Sequence, residues 1–226
     1  MAQALPGAAT QGSLLDVGCG TGALLVATRA RYSMVVGCDV AFRWLVVARK
    51  RLQEAGMEAP LVCCCADHLP FADEAFRVVT AFSLLEHLPG QQDAALRESH
   101  RILRRDGQFL AVSANRYSLA PEPHVSVWGV GFLPRRWMEG YVRWRRGLTY
   151  DKFRLLSPLE LRQKLRQAGF REMTITVPPL ADADLEGHAS VVRLAARLFF
   201  LLTQVPVLGW PLRLFSPLIQ AAAWKR

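Results

Sequence analysis

Several things are scarce or missing in this 226-residue chain, and each narrows what it can be. No uninterrupted apolar run reaches the roughly 18 residues a bilayer-spanning helix needs, so a simple transmembrane segment is not expected. All five cysteines (Cys19, Cys38, Cys63, Cys64 and Cys65) fall within the first 65 residues, with no Cys-x-x-Cys pair and no second Cys/His cluster. That spacing offers no zinc module, and no metal site is expected. The opening residues lack a basic segment followed by an apolar core, so no secretory leader is expected. With the cysteine pattern, this points to a reducing, cytoplasmic setting. Acidic residues are in short supply: 19 Asp+Glu stand against 28 Lys+Arg, a formal net charge of +9. The imbalance favours an anionic partner (nucleic acid, an acidic membrane surface or a phosphorylated substrate) without choosing among them. At 51% hydrophobic and 21% charged residues, the chain is globular and long enough to bury its own core.

The first half alternates short apolar runs with helical stretches. Strands are expected at 13–17, 34–38, 61–65, 78–82 and 108–113, with helices at 21–31, 41–55 and 91–104 between them. Such alternation implies right-handed crossovers and a parallel sheet covered on both faces. Ligands on such sheets bind beyond the carboxyl ends of the strands. From 114 to 157 the alternation stops; Pro121, Pro123, Pro134, Gly129, Gly131, Gly140 and Gly147 suggest an irregular or short-helical insertion. Ser157-Pro158 then reads as a helix start, with Gly169 as its stop. A sixth strand at 170–177 follows, then a polar link at 181–188, an apolar tract at 191–214 and a candidate last strand at 218–224.

The sharpest local feature is the run Asp16-Val17-Gly18-Cys19-Gly20-Thr21-Gly22. A strand enters a Gly-x-Gly-x-Gly turn, where glycine permits positive φ and lets a ligand approach bare backbone. The spacing differs from the Gly-x-Gly-x-x-Gly of dinucleotide sites, and Asp16 would repel a diphosphate while suiting a ligand with an amino group and a sulfonium. Asp39, with Val40 after it, ends the second strand, where a carboxylate accepts hydrogen bonds from a ribose diol. Asp67, with His68 beside it, follows the third strand, where an acid can take the exocyclic amine of an adenine. Ser83 closes the fourth. Cys19 reads as a small filler within the loop rather than a nucleophile, and Cys63–Cys65 as buried strand.

On these residues the chain resembles the class I S-adenosylmethionine-dependent methyltransferases, most closely the small-molecule group around methyltransferase type 11 domains. The family's D/E-x-G-x-G-x-G is matched by Asp16, Gly18, Gly20 and Gly22. Its ribose acid is matched by Asp39 and its D-x-x-x-L-P-F by Asp67, Leu69, Pro70 and Phe71, with one residue fewer in the gap. Its E-H-L is matched by Glu86, His87 and Leu88. The resemblance implies a Rossmann-like, doubly wound α/β fold: a mostly parallel seven-stranded sheet, an insertion after the fifth strand and an apolar helix before the last. It also implies S-adenosylmethionine as cofactor and methyl transfer as reaction. Its map is one domain over 1–226: a cofactor-binding half at 13–113, an acceptor-covering insertion at 114–157, and a C-terminal part at 158–226.

Methyl transfer is an in-line displacement, so alignment and desolvation supply much of the rate, and a base is needed only where the acceptor must lose a proton. His87 is the candidate catalytic base, weighed equally against a role for Glu86 and His87 in orienting the next helix. His124, in the insertion, reads as a surface or structural histidine. Asn115, Arg116 and Tyr117 follow the fifth strand and could touch the acceptor or serve as loop packing. Only about a dozen residues precede the first strand, so the insertion, the tail or a partner is expected to close the acceptor site.

Between Arg135 and Arg171 eleven basic residues stand against three acids, interleaved with Trp137, Tyr141, Trp144, Tyr150 and Phe153. This fits RNA, a membrane interface or a merely solvated basic face. The apolar tail at 191–212, with Arg193 and Arg197 on one helical face, turns the reading toward an element lying in an interface, balanced against packing on the sheet. The expectation is therefore a methyltransferase acting on oxygen or carbon of a small, hydrophobic or lipid-linked acceptor, cytoplasmic or peripheral on an anionic membrane surface. An RNA methyltransferase, or a cofactor-binding scaffold without turnover, is the alternative. Oligomeric state is not legible.

Overall fold

The computed structural model describes residues 12–180 and 190–226; the polar link expected at 181–188 lies outside them. Seven strands form one sheet: β1 (Ser13–Val17), β2 (Met34–Asp39), β3 (Leu61–Cys63), β4 (Phe76–Phe82), β5 (Leu103–Ala114), β6 (Glu172–Thr176) and β7 (Leu218–Trp224). Their spatial order is β3-β2-β1-β4-β5-β7-β6. The first five run parallel, and β7 pairs antiparallel with both β5 and β6. This is the Rossmann-like, mostly parallel sheet that the alternation led us to expect.

The strands are apolar on both faces because both are covered. Leu15, Val79, Phe109 and Ala111 face one side with Leu96, Leu161 and Leu165 from α3 (Gln92–Ile102) and α5 (Pro158–Gln167). Leu14, Val78 and Leu110 face the other with Leu25 and Leu45 from α1 (Ala23–Thr28) and α2 (Phe42–Glu54). Chain order reverses between β1 and β4, the switch point at which such sheets open a crevice at their carboxyl ends.

The helix expected from Ser157-Pro158 is fixed by a full capping box. Ser157 Oγ accepts from Glu160 N–H, and the Glu160 carboxylate accepts from Ser157 N–H. Glu160 also pairs with Arg116 and Arg135, tying both limbs of the insertion to this helix.

Two expectations need correction, at the third strand and in the apolar tract. The third strand ends at Cys63 rather than Cys65, and Cys63 and Cys65 are exposed, not buried strand. The chain leaves the sheet there to form the cleft wall, so the thiols turn outward. The insertion, expected to be irregular or short-helical, does hold a three-turn helix, α4 (Arg135–Arg146), closed by Gly147 in the left-handed region. It carries its own small core of Val125, Val127, Val130, Met138, Val142 and Tyr150. The apolar tract is two helices, α6 (Ser190–Gln204) and α7 (Pro206–Leu214). They meet closely: a Cβ on Gly209 would lie 2.2 Å from Thr203 O, and Arg213 Nε donates to that same oxygen at 2.9 Å. The side chain of Trp210 lies outside the described residues. None of the described helices is long and apolar enough to cross a membrane.

Candidate functional site

The loop after β1 is held by backbone. Gly18 and Cys19 N–H both donate to Cys38 O, at 2.8 and 2.9 Å. Gly18 has φ +72, and a Cβ there would meet Leu84 Cδ1 at 2.8 Å, so both conformation and space demand glycine. Gly20, at φ +50, is different. Nothing lies within 4 Å of where its Cβ would stand, so its bare face is open to a ligand.

Asp39, at the end of β2, binds this loop directly. Oδ2 accepts from Gly20 N–H at 2.9 Å and Oδ1 from Ala41 N–H at 2.8 Å. Each oxygen keeps a lone pair for a diol. Asp39 and Val40 line one cleft with Val17, Gly18, Cys38, Cys64, Cys65, Ala66 and Asp67, and the enclosed part of it measures about 100 Å³. Leu84, Leu88 and Gln91 form its opposite wall. Asp39 and Asp67 therefore share one groove at the carboxyl ends of β2 and β3.

Asp16 sits deeper. It is only 4% exposed, lies opposite Thr80 across the β1–β4 pairing, and accepts from Thr80 Oγ1 at 2.7 Å. Burial pushes its carboxyl up to about 7; the Thr80 bond opposes this, and the charge of Asp39 adds to it. It is a charge held in reserve beneath the loop, which a cation above would favour.

Not every expected contact lies in the groove. The Cys19 side chain is buried with Leu25 beneath the loop, and burial raises its thiol's pKa, so it packs as filler. His68 is exposed, with Nδ1 3.3 Å from Asp67 Oδ1, outside the cleft lining. Ser83 is exposed at φ +50 and gives its N–H to Val112 O, holding β4 to β5 at the turn. Gly22 packs α1 on α2: a Cβ there would meet Ala48 Cβ at 2.9 Å. Cys38, buried and hydrogen-bonded to Cys64, has its thiol held up, while that bond draws the Cys64 thiol down.

The turn after β4 faces two ways. Leu84 and Leu88 line the cofactor-side cleft, while Glu86 and His87 face the insertion. Glu86 is buried; Oε2 accepts from Ser113 Oγ at 2.8 Å and Oε1 from Ala114 N–H at 3.4 Å. His87 meets His124 edge-to-face with ring centroids 5.0 Å apart, and Phe153 stacks on His124 at 4.0 Å. Burial lowers the pKa of the His87 imidazole, and His124 adds to that against Glu86 and Glu122.

His124 is thus no isolated surface residue. Its Nδ1 lies 2.7 Å from Glu122 Oε1, and Glu122 Oε2 accepts the N–H groups of His124 and Val125, both at 2.8 Å. Tyr150 hydrogen-bonds the same carboxylate; burial first, then Glu122, raises its phenol. The Glu-Pro-His spacing was the available signal, but which residue His124 meets depends on the insertion folding back. Arg154 N–H donates to Glu86 O at 2.8 Å, and Gln92 Nε2 donates to Leu85 O and Arg154 O, which sets that return.

Beyond Phe153 a second cavity of about 300 Å³ opens inside the insertion. Met138, Phe153 and Leu155 line it with Arg116, Arg135 and Arg154. Asn115 instead anchors the tail, donating to Leu214 O and Ser216 O at 2.8 Å, and Tyr117 packs near Phe132.

This fold, with a glycine loop and acids at the ends of successive strands, is that of the class I S-adenosylmethionine-dependent methyltransferases. Residues 15–111 match the family described as a methyltransferase domain. The chain is 30% identical over 163 residues to a ubiquinone biosynthesis O-methyltransferase of Idiomarina loihiensis, covering 72% of this chain and 63% of that one. It is 32% identical over 157 residues to its counterpart in Ruegeria pomeroyi, covering 69% and 58%. The chain thus spans about six-tenths of the length of these curated relatives. A crystal structure of an S-adenosylmethionine-dependent methyltransferase from Mesorhizobium loti superposes with a TM-score of 0.64 at 19% identity, covering 99% of this chain and 94% of the other.

The residues present fit the cofactor of that family. Gly20 leaves an open cradle and Asp39 and Asp67 offer carboxylate oxygens in one groove, while Asp16, buried outside that lining with its carboxyl pushed up to about 7, is a group that a cation nearby would favour in its ionised form.

Proposed function

We propose that this protein transfers the methyl group of S-adenosylmethionine to a hydroxyl oxygen of a small, hydrophobic acceptor, working at an anionic membrane surface on the cytoplasmic side. The observation that carries the reading is the two-faced turn 84–89: Leu84 and Leu88 line the acid-lined cleft, Pro89 lines the insertion cavity, and exposed His87 stands between those residues in the turn.

When bound, S-adenosylmethionine supplies an electrophilic methyl group on a positively charged sulfur. Asp16 favours the cationic end, Asp39 holds the ribose while keeping the glycine loop in place, and Asp67 meets the base. Leu84, Leu88 and Val17 exclude water from the cleft, which strengthens these contacts. His87 is the group placed to act on the acceptor hydroxyl. The names of the relatives support an oxygen acceptor on a small molecule.

The membrane part rests on the tail and α4. In α6, Val191, Leu194, Leu198 and Leu201 face solvent, and Leu194 is 69% exposed. In α4, Trp137 and Trp144 are exposed beside Arg136, Arg143, Arg145 and Arg146. Phe132 of the insertion stacks on Phe215, just after α7, so the insertion and the tail adjoin. Exposed apolar residues, tryptophans and arginines with little acid among them complement an anionic lipid surface.

The test has two arms. Calorimetry should give saturable S-adenosylmethionine binding that Asp39→Ala weakens at least tenfold; unchanged affinity would remove the ribose assignment. Lipid and polar extracts incubated with protein and isotope-labelled cofactor, read by mass spectrometry, should yield a labelled product in the lipid fraction. Tight binding with no labelled product in either extract would make the chain a scaffold instead, and label in RNA would make it a nucleic-acid enzyme.

A further inference from the structure

We propose that Cys38 and Cys64 form a covalent modification site, a thiol pair in the lining of the cofactor cleft that hydrogen peroxide converts reversibly to a disulfide. The two side chains hydrogen-bond to each other and line the same cleft. Sheet topology brings them together. Strands β2 and β3 run parallel with Cys38 opposite Val62 and Asp39 opposite Cys63, and Cys64 N–H donates to Asp39 O at 3.2 Å. Cys38 is buried in the body of the sheet, and half-buried Cys64 packs against the core that contains it.

The two thiols are unlike, and that gives each a role. The Cys38 S–H donates to the Cys64 sulfur, which draws the Cys64 thiol down against burial and the charge of Asp39. Cys64 is therefore the more readily ionised of the two, and the thiolate is the form that attacks a peroxide. Cys38, held up by the same contact and by burial, stays protonated beside it. Attack of the Cys64 sulfur breaks the peroxide O–O bond. One oxygen stays on Cys64 as a sulfenic acid, and the other leaves as water with the proton that the thiol gave up. The Cys38 sulfur then displaces the hydroxyl from Cys64, and its own proton departs with that hydroxyl as a second water. Two thiols lose two electrons in all, one hydrogen peroxide becomes two waters, and an S–S bond replaces two S–H bonds. A dithiol reverses the step by exchange.

The disulfide acts on the cofactor through the wall of the cleft. The sulfurs must close to about 2 Å. Cys38 is not free to travel: its carbonyl holds Gly18 and Cys19 N–H, and Asp39 beside it accepts from Gly20 N–H. Cys64 moves instead, and Cys65, Ala66 and Asp67, which follow it along the cleft, move with it. Oxidation thus takes Asp67 out of place, and by reciprocity a cofactor that holds Asp67 in place resists the disulfide. The pair itself stands on the contact between the thiols; only its effect on the cofactor rests on the methyl-transfer reading.

The full chain, treated with hydrogen peroxide, alkylated and digested, should give one dominant cross-linked species by mass spectrometry, joining Cys38 to Cys64 and removed by dithiothreitol. S-adenosylmethionine present during the treatment should slow its formation severalfold. Calorimetry should show the oxidised chain binding S-adenosylmethionine roughly tenfold or more weakly than the reduced chain, the worth of one charge-assisted contact, with dithiothreitol restoring the affinity. Cys63→Ser, a change at an exposed thiol outside the cleft lining, should keep both the cross-link and the drop. Cys64→Ser should lose both, its treated and untreated forms binding equally. Oxidation of Cys64 to a sulfinic acid without a cross-link, or a cross-link to Cys19 or Cys65 in place of Cys38, would overturn the site. A Cys38–Cys64 cross-link with unchanged affinity would overturn its effect on the cofactor. Absence of cofactor binding in the reduced wild type would instead strike the methyl-transfer reading, with mass spectrometry still deciding the thiol pair.

Discussion

Asp16→Asn should make the empty protein more stable at pH 8 and less able to bind its cofactor. In the empty fold, burial pushes the Asp16 carboxyl from 3.8 up to about 7. A rise of about three units at 1.36 kcal/mol each is on the order of 4 kcal/mol of differential cost for the ionised form. The sign follows from proton binding. Between pH 4 and 7 the folded chain holds a proton that the unfolded chain has lost, so this group's contribution to stability falls as pH rises and its full cost is present above about 7. Asparagine carries no such charge and can still accept from Thr80, but its buried NH₂ lacks a partner, which costs about 1–3 kcal/mol. The net gain at pH 8 is therefore roughly 1–3 kcal/mol. For a domain of this size that is a Tm increase of about 2–12 °C. Toward pH 4 the ordering should reverse, with the two melting curves crossing at roughly pH 4.5–6. Calorimetry at pH 8 should show S-adenosylmethionine binding weakened by about ten- to hundredfold, the worth of a charge-assisted contact. Wild-type affinity should itself decline as pH drops below 7. An Asn variant that is no more stable at pH 8, shows no crossing and binds the cofactor normally would refute the idea that Asp16 is a strained buried acid that a bound cation favours in its ionised form.

Gly20→Ala separates cradle from scaffold: with open space at the Cβ and only the left-handed φ opposing it, stability should drop by about 1 kcal/mol while cofactor affinity falls at least tenfold. Similar losses in Tm and affinity at Gly18→Ala, but not at Gly20→Ala, would argue that the loop is merely a tight turn. Alkylation followed by mass spectrometry should find Cys64 and Cys65 shielded by S-adenosylmethionine, because both line the cleft, and Cys63 modified at the same rate with or without it. Leu194→Glu and Leu198→Glu in α6 should each cut co-sedimentation with vesicles containing anionic lipid by severalfold without lowering Tm, since both side chains already face solvent. Unchanged co-sedimentation would remove α6 from the membrane reading.

The parts legible in the sequence are those in which local chemistry is the cause. The strand, glycine turn and acid of 13–22 are contiguous, so one segment carries both the conformational demand and the ligand chemistry. The same holds for Ser157-Pro158 with Glu160, where cap, first-turn proline and reciprocal bond lie within four residues. What stayed illegible depends on where the chain returns. Cys63–Cys65 looked like buried strand because free thiols act as small hydrophobes, yet only the first continues the pairing, through Asp39↔Cys63. Beyond it the backbone turns into the cleft wall, a departure set by sheet geometry rather than by side-chain preference. His124 is the sharper case. No periodicity or motif connects residue 124 to residue 87. Their meeting requires the insertion to be pulled back by the bonds of Arg154 and Gln92 across the turn after β4, and by Phe153 wedged against both rings. A pair made by three long-range contacts leaves no trace in any window of sequence. The cofactor half could therefore be read from residues alone, whereas the chemistry facing the acceptor became visible only once the insertion was folded onto it.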